Sequence, residues 1–221
     1  MSTAMLSVIH EEMWVTLYMV IGTTFFGYVI GLPLGIVLTV TDKNGIRPNV
    51  IVYKVLDIIT NITRSIPFLI LLILLIPFTK AIVGKSYGAT ATIVPLVVAA
   101  APFIGRMVES SLKEVDRGVI EAAQSMGAST MQIITKVLLV EARVSLIIGS
   151  TIVTGTILGY SAMAGIVGGG GLGDVAIQYG YYRYDAAVMW FTVVILILLV
   201  QILQMIGMKV ARVVDRRIST K

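Results

Sequence analysis

The chain has 221 residues, 57% of them hydrophobic and 13% charged, with a formal net charge of +5 and a mean hydropathy of +0.95. Soluble domains usually carry about 25% charged residues, so the composition excludes a water-soluble globule and defines an integral membrane protein. Cysteine is absent, which excludes a disulfide framework and thiol chemistry, and the basic excess lies beside apolar runs, where it meets anionic lipid rather than nucleic acid.

No Lys or Arg precedes the first apolar run, so no cleavable leader is expected, since a secretory signal has a positive start and a short apolar core. A hydrocarbon core of about 30 Å takes ~20 helical residues. The first span is predicted over 13–40, long enough to tilt or to extend past the bilayer. Gly27, Gly31 and Gly35 recur every fourth residue on one of its faces, a spacing that lets a neighbouring helix approach backbone to backbone. Pro33 introduces a bend.

A polar loop over 41–57 follows, then a second span over 58–78. Arg64 sits at its edge, either as a snorkelling residue at the headgroups or in a fixed ion pair with Asp57 or Glu109. A third span over 89–107 carries Pro95 and Pro102, whose freed carbonyls need neighbours or water. The longest polar stretch, Arg106 to Arg143, precedes a fourth span over 146–167 and a fifth over 186–208, with a basic tail from Lys209 to Lys221.

Charge gives the orientation. Loops 41–57 and 106–143 and the tail hold thirteen Lys and Arg, the alternate segments three, and Arg64 stands unassigned. The positive-inside rule places the N-terminus outside and the C-terminus in the cytoplasm.

Residues 116–142 form an amphipathic segment outside the spans. Val119, Ile120, Ala123 and Met126 share one helical face, and Met131, Ile134, Val137 and Leu138 share another. Asp116 is placed to cap the first helix and Ser129 or Thr130 the second. Gly127 supplies the turn, because glycine accepts φ > 0. On its own terms such a segment could also be an amphipathic helix lying on the membrane surface.

Glu121-Ala122-Ala123-x-x-x-Gly127, followed after nine residues by Val137-x-Leu139, resembles the coupling loop of permease subunits of ATP-binding-cassette (ABC) importers. The family usually has Pro after the Leu; here Val140 follows. Further matches lie at Gly31-Leu32-Pro33, Arg64-Ser65-Ile66-Pro67-Phe68, Ala101-Pro102-Phe103 and Gly159-Tyr160-Ser161-Ala162-Met163. They extend the likeness over essentially the whole chain, to permeases of the methionine importers within this family. The resemblance implies an all-α, five-span type I importer permease in the bacterial inner (cytoplasmic) membrane. It further implies a second copy of itself, two copies of an ABC ATPase subunit docking on 116–142, an extracytoplasmic substrate-binding protein, and D- or L-methionine as the solute.

In that frame Glu121, Ala122, Ala123, Gly127, Val137 and Leu139 are the expected ATPase-coupling residues. Tyr160, Ser161 and Met163 are the candidates for lining or gating the path, with ordinary helix packing as the alternative. No Gly-x-x-x-x-Gly-Lys-Ser/Thr loop occurs, so Mg-ATP belongs on the partner and this chain is expected to hold no cofactor and not to be an enzyme. His10 is the sole histidine and has no cluster of metal ligands about it. Gly168-x-Gly170-x-x-Gly173 matches a dinucleotide fingerprint in letters only, because it follows a membrane span and not a strand. Carboxylates lie mostly in loops and none at mid-span, which argues against proton- or sodium-driven transport. Two other readings of the whole remain: a permease of the same class for another amino acid, a quaternary amine or an organic anion, and a membrane scaffold that only docks a cytoplasmic partner.

Overall fold

The structure, a computed structural model, describes Thr3–Asp215. Arg216, Arg217 and Lys221 of the predicted basic tail lie outside the described residues. Among the described residues every regular element is helical. Four helices among the described residues are long and apolar enough to cross a membrane: α1 (Thr3–Thr41), α5 (Ala89–Lys113), α9 (Arg143–Ala164, continued by a 3-10 turn) and α11 (Ala186–Val214). A fifth crossing exists only if α2 (Val50–Ser65) and α3 (Phe68–Leu74) are taken together as one bent span.

The region predicted as a single span over 58–78 is therefore broken. Pro67 stands before α3 with φ −55° and ψ 133°, and a proline drives the residue before it out of the helical region. A second break falls at Leu75, and α4 (Ile76–Val83) begins there with Pro77 in its first turn, where a missing N–H costs nothing. The preceding polar loop is also shorter than predicted. Asn49 caps α2 by accepting the Val52 N–H at 3.1 Å, so helix starts at Val50 and only 42–49 remains as turn.

α1 begins ten residues before its predicted span. The cause is tertiary: Ile9 is buried with Leu172, Val175 and Val188, and Glu12 and Thr16 accept the backbone N–H groups of Gly171 and Leu172. The helix runs on through Pro33. α5 likewise extends beyond residue 107 to Lys113, through charged side chains paired at i, i+3 and i, i+4.

The chain divides into two compact units. One comprises Met1–Gly27, Ile66–Ala100 and Val153–Gln204; the other comprises Tyr28–Ser65, Ala101–Ile152 and Met205–Lys221. In the first, Met19, Phe68, Leu72, Leu96 and Ala164 form an apolar cluster. Gly22 lies against Ile93, where an added Cβ would meet the side chain at 2.9 Å. In the second, Gly31 and Gly35 let α1 close on α5: a Cβ on Gly31 would lie 2.7 Å from Ile104 Cβ, and one on Gly35 2.6 Å from the Gly105 carbonyl. Gly27 is buried on the same helix. More than half of the most apolar window of α5 is buried (56%), against 11% for α11, so α5 is enclosed by protein while α11 presents its side chains outward.

Candidate coupling site and transport path

After α5 the chain leaves the apolar spans and forms α6 (Arg117–Ser125). Asp116 caps it, its carboxylate accepting the Gly118 N–H at 2.7 Å. The helix ends at Met126, and Gly127 follows at φ +78°. The N–H groups of Gly127 and Ala128 return to the carbonyls of Gln124 and Ala123, closing the carbonyl end of the helix in the way a left-handed glycine permits. Of the two possible caps for the next helix, Ser129 is the one used. It forms a capping box with Gln132 at the start of α7 (Thr130–Gln132). A π-helical turn, Ile133–Leu138, and the short α8 (Leu139–Glu141) complete the segment.

The two predicted apolar faces are only partly buried. On α6, Ala123 is buried and Ile120 half-buried, whereas Val119, Ala122 and Met126 point outward. The stripe is simply wider than the surface that α6 covers, and residues at i, i+3 and i+7 remain on its outer edge. Met126 is 82% exposed and Met131 67%. In the following limb the buried residues are Ile133 and Leu138, five apart, because the π turn adds one residue to the period; Ile134 and Val137 are half-buried. The α-period missed Ile133 for that reason. Of the expected coupling residues, Glu121, Ala122 and Gly127 are exposed, Ala123 is buried, and Val137 and Leu139 are half-buried. Glu121 also lines a cavity of about 470 Å³ with Asp42, Lys43, Lys113, Arg117 and Gln124.

Beside this segment lies a charge network that the sequence reading did not assemble. Arg106 pairs with Asp57 and, at 2.7 Å, with Glu109; Lys113 pairs with Glu109 and Asp42, both at 2.8 Å. Tyr53 donates its hydroxyl to Glu109 and Arg106 reaches Asn61. The ion pair considered for Arg64 with Asp57 or Glu109 is thus made by Arg106. The Arg64 guanidinium instead sits 5.9 Å from the centre of the Phe103 ring. Arg106, placed from the sequence where the third span and the polar stretch overlap, lies within α5. The Asn44 N–H and the Lys113 ammonium hold Asp42 below its ordinary pKa.

The path candidates belong to the other unit. Tyr160 stacks on Phe68, ring centroids 4.6 Å apart and planes within 9°. Ser161 is buried and donates back to the Leu158 carbonyl at 2.8 Å, while Met163 is 48% exposed. The glycine run after α9 makes tight turns: Gly168, Gly170 and Gly171 all have positive φ, and the four-residue α10 (Leu172–Val175) that follows is buried against α1. Among the described residues no group of three or more His, Cys, Asp or Glu is placed to hold a metal ion.

Long apolar helices with a capped, outward-facing amphipathic segment between two of them define a polytopic membrane component. Residues 31–220 match the family described as the binding-protein-dependent transport system inner membrane component. The chain is 53% identical over 204 residues, 92% of its length, to a probable D-methionine transport system permease protein of Vibrio cholerae, covering 91% of that protein. It is 52% identical over 165 residues to the D-methionine transport system permease protein of Escherichia coli K12, covering 75% of this chain and 76% of that one. A chain from the MetNI methionine ABC transporter in inward-facing conformations superposes with a TM-score of 0.96 at 50% identity, covering 98% of this chain and 100% of that one. The protein belongs to the inner-membrane permease components of binding-protein-dependent ABC transport systems.

Proposed function

We propose that this chain is the permease subunit of an ATP-driven importer of methionine, D or L. It crosses the bacterial inner membrane five times, with the N-terminus outside and the C-terminus in the cytoplasm. It works as a pair of copies, with two copies of a separate ATPase that carries Mg-ATP and an extracytoplasmic protein that delivers the solute. One observation carries the coupling part of this reading: α6 keeps Val119, Ala122 and Met126 outward beside Glu121, although the helix lies outside the apolar spans. Apolar side chains left in water on a helix capped at both ends suit a groove on a protein partner. The methionine transport systems of the relatives support the solute.

In this mechanism ATP binding closes the two ATPase subunits, and the docked α6 moves with them as a rigid piece. Ala122 permits close approach, Glu121 offers a charge to a basic group on the ATPase, and Gly127 holds the angle to the following limb. The displacement opens the path outward, and hydrolysis returns it inward. Tyr160 and Met163 face or gate that path.

Native mass spectrometry of the gently purified complex tests the assembly, and uptake of labelled D- and L-methionine into proteoliposomes tests the solute. Two copies of this chain with two ATPase copies, and ATP-dependent methionine uptake, are expected. The same assembly without methionine uptake would point to another amino acid, a quaternary amine or an organic anion. A chain that recruits no ATPase and stimulates no hydrolysis would be a scaffold.

A further inference from the structure

The charged side chains at the end of α5 carry an inference that rests on the coupling reading. We propose that Asp42, Asp57, Arg106, Glu109 and Lys113 lock the 42–49 turn, α2 and the end of α5 into one body with α6, and that Glu109 is the positioning residue of this lock.

Glu109 is only 4% exposed, and both of its oxygens are used. One accepts Arg106 at 2.7 Å; the other accepts Lys113 at 2.8 Å and the Tyr53 hydroxyl at 3.3 Å. Each cation then reaches a second segment: Arg106 binds Asp57 on α2, and Lys113 binds Asp42 in the turn at 2.8 Å. Arg117, the first residue of α6, donates to the Asn44 carbonyl of the same turn at 3.1 Å. α6 is therefore held to the turn directly, and to α5 by the three residues Glu114–Asp116.

The chemistry of these contacts decides what they transmit. Apolar burial is non-directional, whereas charge-assisted hydrogen bonds fix both distance and direction. The Glu109 carboxylate is the buried member, and displacing Arg106 and Lys113 would leave it buried and unpaired. A displacement of α6 then reaches the 42–49 turn through Arg117, and α5 and α2 through the charges gathered on Glu109.

This chain has no cysteine of its own, so the full importer, reconstituted with cysteine-free forms of its ATPase and binding protein, permits a direct test. In an Asp42→Cys/Lys113→Cys double variant, labelled L-methionine taken up per ATP hydrolysed is expected to fall at least fivefold, with ATPase association and basal hydrolysis kept. Bridging the two thiols with a short bis-thiol reagent is expected to restore at least half of the lost uptake. Normal uptake per ATP without the bridge would overturn the proposal. So would a bridge that lowers uptake further, because the two segments would then have to separate during the cycle. Glu109→Gln keeps the side-chain volume and is read by the same ratio should the double variant not reach the membrane; an unchanged ratio there overturns the proposal equally. If the unsubstituted chain itself fails to bind or stimulate the ATPase, the coupling reading fails first, and that outcome is seen before any variant is made.

Discussion

Phe68 lies flat on Tyr160, with ring centroids 4.6 Å apart and planes within 9°, and this pair ties the first residue of α3 to the last third of α9. Stacked rings contribute about 0.5–1.5 kcal/mol beyond their buried area. Tyr160→Phe keeps the stack and is expected to leave the thermal midpoint within a degree or two of wild type. Tyr160→Ala removes it and is expected to lower the midpoint clearly. Equal midpoints for the two variants would show that the stack is not holding α3.

The neighbouring path candidates separate by burial. Ser161 bonds its own helix and is closed off, so Ser161→Ala is expected to leave methionine uptake and basal ATP hydrolysis unchanged. Met163 projects outward from α9, so Met163→Ala is expected to alter uptake, basal hydrolysis or both. Two silent variants would remove this stretch from the path.

Gly127 has open space around the position of a Cβ but sits at φ +78°, so its requirement is backbone conformation and not volume. A β-branched residue is a strong outlier there, whereas Asn tolerates it. Gly127→Val is expected to uncouple ATP hydrolysis from uptake, and Gly127→Asn to retain most of the coupling. Normal uptake with Val would refute the turn argument.

Met126 is nearly free of the rest of the chain, so a charge there should not disturb the fold. Burying a methionine is worth roughly 1.5–3 kcal/mol, which is on the order of ten- to a hundredfold in affinity. Met126→Asp is expected to weaken ATPase association by that factor at an unchanged thermal midpoint. Undiminished co-purification would place the docking surface elsewhere.

Gly31 and Gly35 differ from Gly127 in kind. Their φ is ordinary, but an added methyl would press on α5 backbone carbonyls. Overpacking of this sort costs about 1–3 kcal/mol. Gly31→Val is expected to lower the thermal midpoint and membrane yield, while Gly127→Asn, which tolerates the positive φ, should spare both. Wild-type stability of Gly31→Val would show that the two helices separate at no penalty.

Asp42 gives a pH dependence of defined sign. Its folded pKa is depressed by the Asn44 N–H and Lys113, so its stabilising contribution is fully present above the unfolded value of about 4 and is lost as pH falls through the lower folded value. The midpoint difference between wild type and Asp42→Asn should be constant from neutral pH down to roughly 5 and shrink only in stronger acid. A difference that vanished near pH 6 would exclude this carboxylate as the cause.

Features carried by local chemistry were readable from the residues in order. The long apolar runs, the Asp116 cap and the glycine turn at 127 each depend on neighbours within a few positions, and all three occur in the structure. Features that depend on which segments meet were not. α1 begins early because Ile9 and Glu12 find partners around residues 171–188. Arg106, rather than Arg64, captures Asp57, because only folding brings α2 beside the end of α5; Glu109, three residues along the same helix, is a local partner. Hydrophobic periodicity reports the side chains that avoid water, and for α6 it could not say that half of that face stays uncovered. Burial is a property of two surfaces, and a single strand of sequence describes one of them.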